Sequence, residues 1–439
     1  MKSFNVAIFG CGTVGGGVSR ILLDMKEELS KRAGIEINLK RIVDMFPKRS
    51  SERHNIPLNL FCGNGVDLDI DETNYYIEEV LKSDDIDIVV ETIGGSSEYI
   101  LNIAKRILNS GKHFVTANKA LLAKYNNVIF ELASQKNLAV GFEASVCGAI
   151  PIIKVVKECF TGDEILSISG IMNGTSNYIL SNMQENNLGF DEALKMAQQK
   201  GYAEADPTLD INGGDASHKL AILIKLAFGL DVKIENLSVS GIQNITKDDL
   251  SFAKEMDSTI KLICFATKKS DTIFATVRPM MVKNSNFISG INGATNAVKV
   301  VNKYSQEHIL VGKGAGSLET GSAIVSDIIF IARYKDSMKN TYPKSDYILK
   351  DLNDYPFPYN IIFDAEDIPG ITGLVTTSIG NQNINIDTVG HNRHNKDTAI
   401  FSIATMPCTL SQINKAIEEI KAKKPGVLKN EPKIIPILY

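Results

Sequence analysis

The sequence predicts an α/β protein in three parts: an N-terminal Rossmann-type doubly wound sheet, a central α+β domain and a C-terminal ferredoxin-like domain. Three observations carry this. An apolar run of strand length at residues 4–9 leads directly into GCGTVGGG and then into a long helical pattern. Apolar runs of strand length at 86–90 and 138–142 alternate with helical segments, as a parallel sheet requires. Residues 358–439 spell a complete β-α-β-β-α-β order. The boundaries read as 1–138, 139–335, a linker at 336–357, and 358–439, with a glycine-rich segment at 311–317 returning toward the first domain.

Composition limits the function classes. The 439 residues, 44% hydrophobic and 22% charged, are ordinary for a globular chain of several domains. A net charge of -4 gives no basic field for nucleic acid or anionic membrane. No apolar run reaches the ~18 residues of a membrane span, and the N-terminus leaves no room for a signal peptide before the first motif. The six cysteines (Cys11, Cys62, Cys147, Cys159, Cys264, Cys408) show no metal-ligand spacing, which suits reduced thiols and a cytoplasmic location.

Gly10, Gly12 and Gly15 match G-x-G-x-x-G between strand and helix. Gly10 allows the tight turn, Gly12 lets backbone approach a pyrophosphate, Gly15 lets helix and strand pack, and the helix end offers free N–H groups. A purely structural glycine turn is the bland alternative. The second strand, 38–43, ends at Asp44, which would accept bonds from ribose hydroxyls and favour NAD; Lys48, Arg49 and Arg53 follow and would hold the 2′-phosphate of NADP. Both cofactors stay open. A strand ending at Asn118-Lys119 sets a lysine at the carboxyl edge of the sheet, where open sheets bind ligands, although such a lysine is often only solvated. In the turn 143–150, carbonyls of Val146, Gly148 and Ile150 would converge with the Glu143 carboxylate on a hard cation; a tight turn around a buried acid explains the same residues.

Ile165–Ile171 reads as a strand leading to Asn173 and Thr175 at a strand-to-helix turn, a place for substrate contacts or an N-cap. A helix follows at 190–200. Beyond the central stretch, 242–245 and 272–277 read as strands, 250–266 as a helix, and 320–334 as a helix after the second glycine-rich loop. Residues 335–346 break periodicity and continue loosely to Pro358. In the tail, strands at 360–363, 385–389, Thr398–Thr405 and Lys433–Leu438 alternate with helices at 369–380 and 410–421, the second opened by a Thr409/Gln412 capping box. The 367–370 loop is where such modules bind small ligands.

The central stretch, 201–223, reads GYAEADPTLDINGGDASHKLAIL. Glu204, Asp206 and Asp210 lie in a turn-rich segment, and Asp215 and Lys219 share a helix face four residues apart. An exposed ion pair is the bland reading, but the apolar run after Lys219 turns that face toward a core.

The motifs GCGTVGGG, ETIGG, TANKALLA, EASVCGAIP, IMNGTSNYIL, GYAEADPTLDINGGDASHK and GKGAGSLETGSA together resemble bacterial homoserine dehydrogenases over nearly the whole chain, and the tail resembles an ACT domain. Glu319, where the family commonly has proline, and the polar HNRHNKD insertion after Val389 depart from the pattern. The resemblance implies NAD(P)-dependent interconversion of homoserine and aspartate semialdehyde, with Lys219 as proton donor and acceptor and Lys119 holding the substrate oxygen, each lysine depressing the other. It implies that Glu204, Asp210 and Asp215 bind the substrate ammonium, and that Asn173 and Thr175 shape the pocket. It assigns Gly12, Thr13, Val14, Thr92, Lys119, Gly201, Gly314, Ala315 and Gly316 to the cofactor, and a sodium-type cation to the turn of Glu143, Val146, Gly148 and Ile150. It further implies a homo-oligomer, dimer or tetramer, through the central domain, and threonine as an effector of the tail. Two rivals are a non-catalytic NAD(P)- and amino-acid-sensing regulator and an aspartate semialdehyde dehydrogenase, which needs a nucleophilic cysteine; Cys147 is the nearest one to the acid–lysine site.

Overall fold

A computed structural model describes residues 3–335, 343–390, 393–395 and 398–439. Five parallel strands, Ser3–Phe9, Glu36–Val43, Ile88–Glu91, His113–Thr116 and Val140–Gly141, form the first sheet in the spatial order 2-1-3-4-5. The chain leaves the first strand toward one side and returns on the other, so the ends of strands 1 and 3 flank a topological switch point. Gly10 and Thr92 sit there, and the Thr92 hydroxyl donates to the Gly10 carbonyl at 2.6 Å.

The helix after the glycine motif is two helices, Thr13–Asp24 and Lys26–Ala33, the second ended by left-handed Gly34. A Cβ on Gly17 would stand 2.1 Å from the Ser317 carbonyl oxygen, and one on Gly321 would stand 2.9 Å from Gly17 backbone. This contact is close enough to demand glycine on both sides. It belongs to the helix Ser317–Tyr334, whose Ile324, Ile328 and Ile331 share a core with Ile8, Val18 and Leu22. That helix, expected in the central domain, therefore packs with the N-terminal one.

The central sheet runs Gln306–Lys313, Thr295–Asn302, Ile165–Ile171, Ser258–Lys269, Thr272–Lys283, all antiparallel. The expected helix at 250–266 is a helix Lys247–Glu255 followed by the strand Ser258–Lys269. Nearly every residue of that strand is buried, so no alternation marks it as β. Residues 242–245 are loop, and the short strand is Ser238–Val239. One face of the sheet carries the helices Gly174–Glu185 and Gly214–Phe228.

The other face, with Ile171, Ile263, Phe265 and Phe274, shares a core with the tail. Phe265 meets Phe357 edge-on at 5.4 Å, and Phe274 meets Tyr355 at 5.0 Å. Within the expected linker, residues 343–357 are described. Ile348–Lys350 adds a parallel strand to Thr272–Lys283, and Asp351 pairs with Arg278 at 2.7 Å. The tail follows the order Tyr359–Glu366, Ile371–Asn381, Ile386–Val389, Thr398–Thr405, Leu410–Lys423, Lys433–Leu438, with Arg393–Asn395 paired to Thr398–Thr405. The rest of the HNRHNKD insertion and residues 336–342 lie outside the described residues. The last strand pairs antiparallel with Tyr359–Glu366 and parallel with Met281–Val282, joining the tail sheet to the central one. Among the described residues no helix is long and apolar enough to cross a membrane.

Candidate active site

The nucleotide end forms first. Gly10, at φ 88°, turns the chain, and a Cβ on Gly15 would meet the Gly10 carbonyl oxygen at 2.1 Å. No side chain caps the Thr13–Asp24 helix, and the space beside Gly12 is open to at least 4 Å. Uncapped N–H groups facing open space make a phosphate cradle, so the residues fit a dinucleotide. Thr13 and Val14 follow at the first helical turn. The Ser317 hydroxyl donates to the Thr13 carbonyl at 2.6 Å, bringing Gly314, Ala315 and Gly316 to the same mouth.

Asp44 departs from expectation. One oxygen accepts the Cys11 N–H at 2.6 Å, and the other accepts from Phe46 N–H and the Ser50 hydroxyl. The carboxylate braces the glycine loop instead of standing free for ribose. The Arg53 guanidinium reaches the Thr13 hydroxyl at 3.5 Å.

The reactive end draws on three segments. Asn118 caps the helix Lys119–Gln135 by accepting the Leu121 N–H, and its amide donates to the Gly95 carbonyl at 2.5 Å, which fixes Lys119 at that helix's start. Asp215 stands in the first turn of Gly214–Phe228, entered through left-handed Gly213. Asn173 caps Gly174–Glu185 by accepting the Ser176 N–H. These elements converge on one buried carboxylate. Asp215 Oδ1 pairs with Lys119 Nζ at 2.9 Å, while Oδ2 accepts from Lys219 Nζ at 2.7 Å and Asn173 Nδ2 at 2.9 Å. Lys219 also donates to the Met172 carbonyl at 2.7 Å. The exposed ion pair is thus ruled out: the Lys219 side chain is 9% accessible.

One expectation changes here. Burial pushes the Lys219 ammonium down, but the Asp215 charge outweighs it and holds the group above its ordinary value, so Lys219 is not depressed as expected in this state. Asp215, burdened by burial yet facing two ammonium groups, is held well below the usual carboxylate range. Both of its oxygens are engaged by these groups. Asp210 is half-buried, accepts from Asn173 Nδ2 at 2.7 Å on one oxygen, and is raised chiefly by burial. Glu204 lies exposed on the same loop, and its carboxylate joins none of these bonds among the described residues. The Thr175 hydroxyl ties the loop down by donating to the Tyr202 carbonyl at 2.6 Å, just after left-handed Gly201. His218, which the sequence reading passed over, lies near both lysines and Asp215, lowered by burial first. Its i+3 spacing from Asp215 was the available signal.

The 143–150 turn is fully engaged at its acid. Both Glu143 carboxylate oxygens accept backbone N–H bonds from Ile153 and Lys154, and burial lifts the group to about 7. The Glu143 side chain thus holds a helix start, one backbone N–H on each oxygen. The Ile150 carbonyl accepts from Ile152 N–H, whereas among the described residues the buried Val146 and Gly148 carbonyls accept no hydrogen bond. Among the described residues no cluster of three or more His, Cys, Asp or Glu side chains is arranged to hold a metal. Cys147 is fully buried and its thiol is raised by that burial, a poor nucleophile, which removes the basis for the cysteine-dependent rival.

Residues 10–143 match the family model "Homoserine dehydrogenase, NAD binding domain", and residues 151–329 match "Homoserine dehydrogenase". A homoserine dehydrogenase of Helicobacter pylori is 39% identical over 92% of this chain and 92% of its own length. The crystal structure of a homoserine dehydrogenase from Thiobacillus denitrificans superposes with a TM-score of 0.89 at 33% identity, covering 100% of this chain and 98% of that one. A hyperthermophilic archaeal homoserine dehydrogenase in complex with NADPH superposes at 0.63 with 26% identity, over 76% of this chain and 98% of that one.

Proposed function

The chain belongs to the homoserine dehydrogenase family, and from that premise we propose how its own residues carry the reaction. It is an NAD(P)-dependent homoserine dehydrogenase, interconverting L-homoserine and L-aspartate 4-semialdehyde. The observation that carries the residue assignment is the single buried carboxylate holding two lysines from different segments. A bound nicotinamide supplies or accepts the hydride. Lys219, protonated at rest, donates to the substrate oxygen during aldehyde reduction and must be neutral to take the hydroxyl proton during oxidation. Lys119 steadies that oxygen, and Asp215 keeps both ammonium groups aimed at it. Asp210 and Glu204 receive the substrate ammonium, and Asn173 spaces Asp210 from Asp215 through one amide.

Gly10, Gly12, Thr13, Val14, Gly15, Thr92 and the 314–316 loop would hold the dinucleotide, with Gly201 at the mouth. The engagement of Asp44 and the approach of Arg53 favour NADP over NAD. A monovalent cation such as Na+ would take the two orphaned carbonyls of Val146 and Gly148. The tail is proposed as an ACT domain taking threonine at the 367–370 loop. The edge strand Gln306–Lys313 would extend the central sheet into a dimer.

Lys219→Ala tests the assignment. It should remove homoserine oxidation and leave NADPH binding, read by fluorescence titration, near wild type; normal kcat in the variant would take Lys219 out of the chemistry.

A further inference from the structure

Asn296 has no role in the reaction as described, yet its position is costly. It is fully buried, and neither its amide oxygen nor its amide nitrogen has a nitrogen or oxygen partner; only the weakly bonding Cys147 thiol stands beside it. Buried polar groups in folded proteins are almost always paired, so an unpaired amide needs a reason. Its surroundings suggest one. Asn296 is the second residue of the strand Thr295–Asn302, opposite Gly312, and its side chain occupies the space a residue 314 side chain would need: a Cβ on Gly314 would stand 2.1 Å from Asn296 Nδ2. A Cβ on Gly174, the first residue after the Asn173 cap, would lie 3.4 Å from Asn296 Oδ1. The turn holding the orphaned carbonyls abuts the same loop, with Ala149 N–H donating to the Lys313 carbonyl at 3.1 Å. The amide thus stands at the meeting of the cofactor loop, the 143–150 turn and the helix that carries the substrate pocket.

We propose that Asn296 is a positioning residue for the dinucleotide: its amide pairs with the backbone of the 314–316 loop when that loop settles onto the cofactor. In the free protein the amide has no nitrogen or oxygen partner, so a bond to the loop backbone is a gain realised on binding. The loop is already tied to the nucleotide cradle through Ser317 and Thr13, so the pairing would transmit directly to the bound pyrophosphate region. This inference rests on the proposed assignment of the 314–316 loop to the cofactor.

The test uses Asn296→Leu, which keeps the branched heavy-atom skeleton and removes both polar atoms, and Asn296→Ser, which shrinks the side chain but keeps a hydroxyl. Each is measured by thermal unfolding with and without NADPH, by NADPH fluorescence titration, and by steady-state homoserine oxidation. In Asn296→Leu the ligand-free melting temperature should hold or rise, since two unpaired groups are gone. The NADPH dissociation constant should rise about tenfold, the worth of one buried hydrogen bond, and the melting shift given by NADPH should shrink. The kinetic loss should fall mainly on the cofactor KM. An unchanged NADPH dissociation constant in Asn296→Leu overturns the proposal, whatever happens to the melting temperature. If that variant does not fold, Asn296→Ser is read the same way. Wild-type protein that binds NADPH but fails to oxidise homoserine would sink the reaction while leaving this inference standing.

Discussion

Replacing Asp215 by asparagine isolates what one carboxylate does for two lysines. In the wild type, Lys219 Nζ lies 2.7 Å from Oδ2 and Lys119 Nζ 2.9 Å from Oδ1. Burial alone would push Lys219 down, and Asp215 reverses the sign. With an amide at 215 that opposing charge is gone and burial is left to act, so Lys219 should fall. On the proposed mechanism homoserine oxidation needs neutral Lys219, so the acid limb of its pH–rate profile should move to lower pH. The maximum should nevertheless drop. An amide has one oxygen for two ammonium groups, and its NH₂ end would face the other lysine donor to donor. Misplacing a catalytic group by about 1 Å costs on the order of 10² in rate, and removing one partner of a buried pair costs about 3–5 kcal/mol of stability. The assay is kcat/KM for homoserine oxidation from pH 7 to 10.5 in both proteins, with a parallel urea melt. An acid limb that stays where the wild type has it, in a variant that is folded and active, refutes the coupling.

Three further outcomes follow from the packing. Lys261 is fully buried on Ser258–Lys269, donates to the Ile291 carbonyl at 2.7 Å, and is pushed by burial down to about 8. Between pH 8 and 10.5 the folded state releases a proton the unfolded state keeps, so stability should rise with pH by up to about 3 kcal/mol, a gradient absent from Lys261→Met; identical urea-unfolding slopes against pH in the two proteins would rule it out. Gly17→Ala drives a methyl into Ser317 backbone, so it should cost about 1–3 kcal/mol and weaken NADPH binding; a wild-type melting temperature would show that the helices can part freely. Deleting 358–439 removes the tail side of the core around Ile171, Ile263, Phe265 and Phe274 and the strand paired to Met281–Val282; the truncated protein should aggregate on size-exclusion chromatography, and a monodisperse active product would show that the tail is dispensable to the central sheet. The proposed feedback by threonine is therefore better tested in the full chain with Gly370→Val, at a left-handed φ of 85°, where a threonine response equal to the wild type's would refute the 367–370 loop as its site.

The parts of the site legible in the sequence were those written locally. Gly10, Gly12 and Gly15 carry their reason in their spacing, and Asp215 and Lys219 declare a shared face by being four residues apart. The strand Ser258–Lys269 failed to declare itself because both of its faces are covered, one by helices and one by the tail, which erases the alternation that marks a half-exposed strand. The helix Ser317–Tyr334 follows central-domain strands in sequence but packs against the first sheet, a choice made by glycines on facing helices and visible only once both are placed.

The same distinction explains why three carboxylates looked interchangeable. Glu204, Asp210 and Asp215 lie within a dozen residues and suit an ammonium equally well on paper. What separates them is long-range: Lys119 arrives from position 119 and Asn173 from position 173, and together with Lys219 they saturate Asp215 while leaving Asp210 one free oxygen. Asparagine at 173 is central to that partition, because its amide nitrogen donates to Asp210 and Asp215 at once while its oxygen caps the helix. On the proposed assignment the substrate would meet two poles, a pair of cations toward its oxygen and a half-free acid toward its nitrogen. A site with only the Asp215–Lys219 pair would offer one. That separation would favour an amino acid bearing a reducible or oxidisable carbon near its far end, and Asn173→Ala should therefore raise the homoserine KM more than it lowers NADPH affinity. Equal losses in both, measured by steady-state kinetics and fluorescence titration, would mean that Asn173 serves the fold and not the division of labour between the two acids.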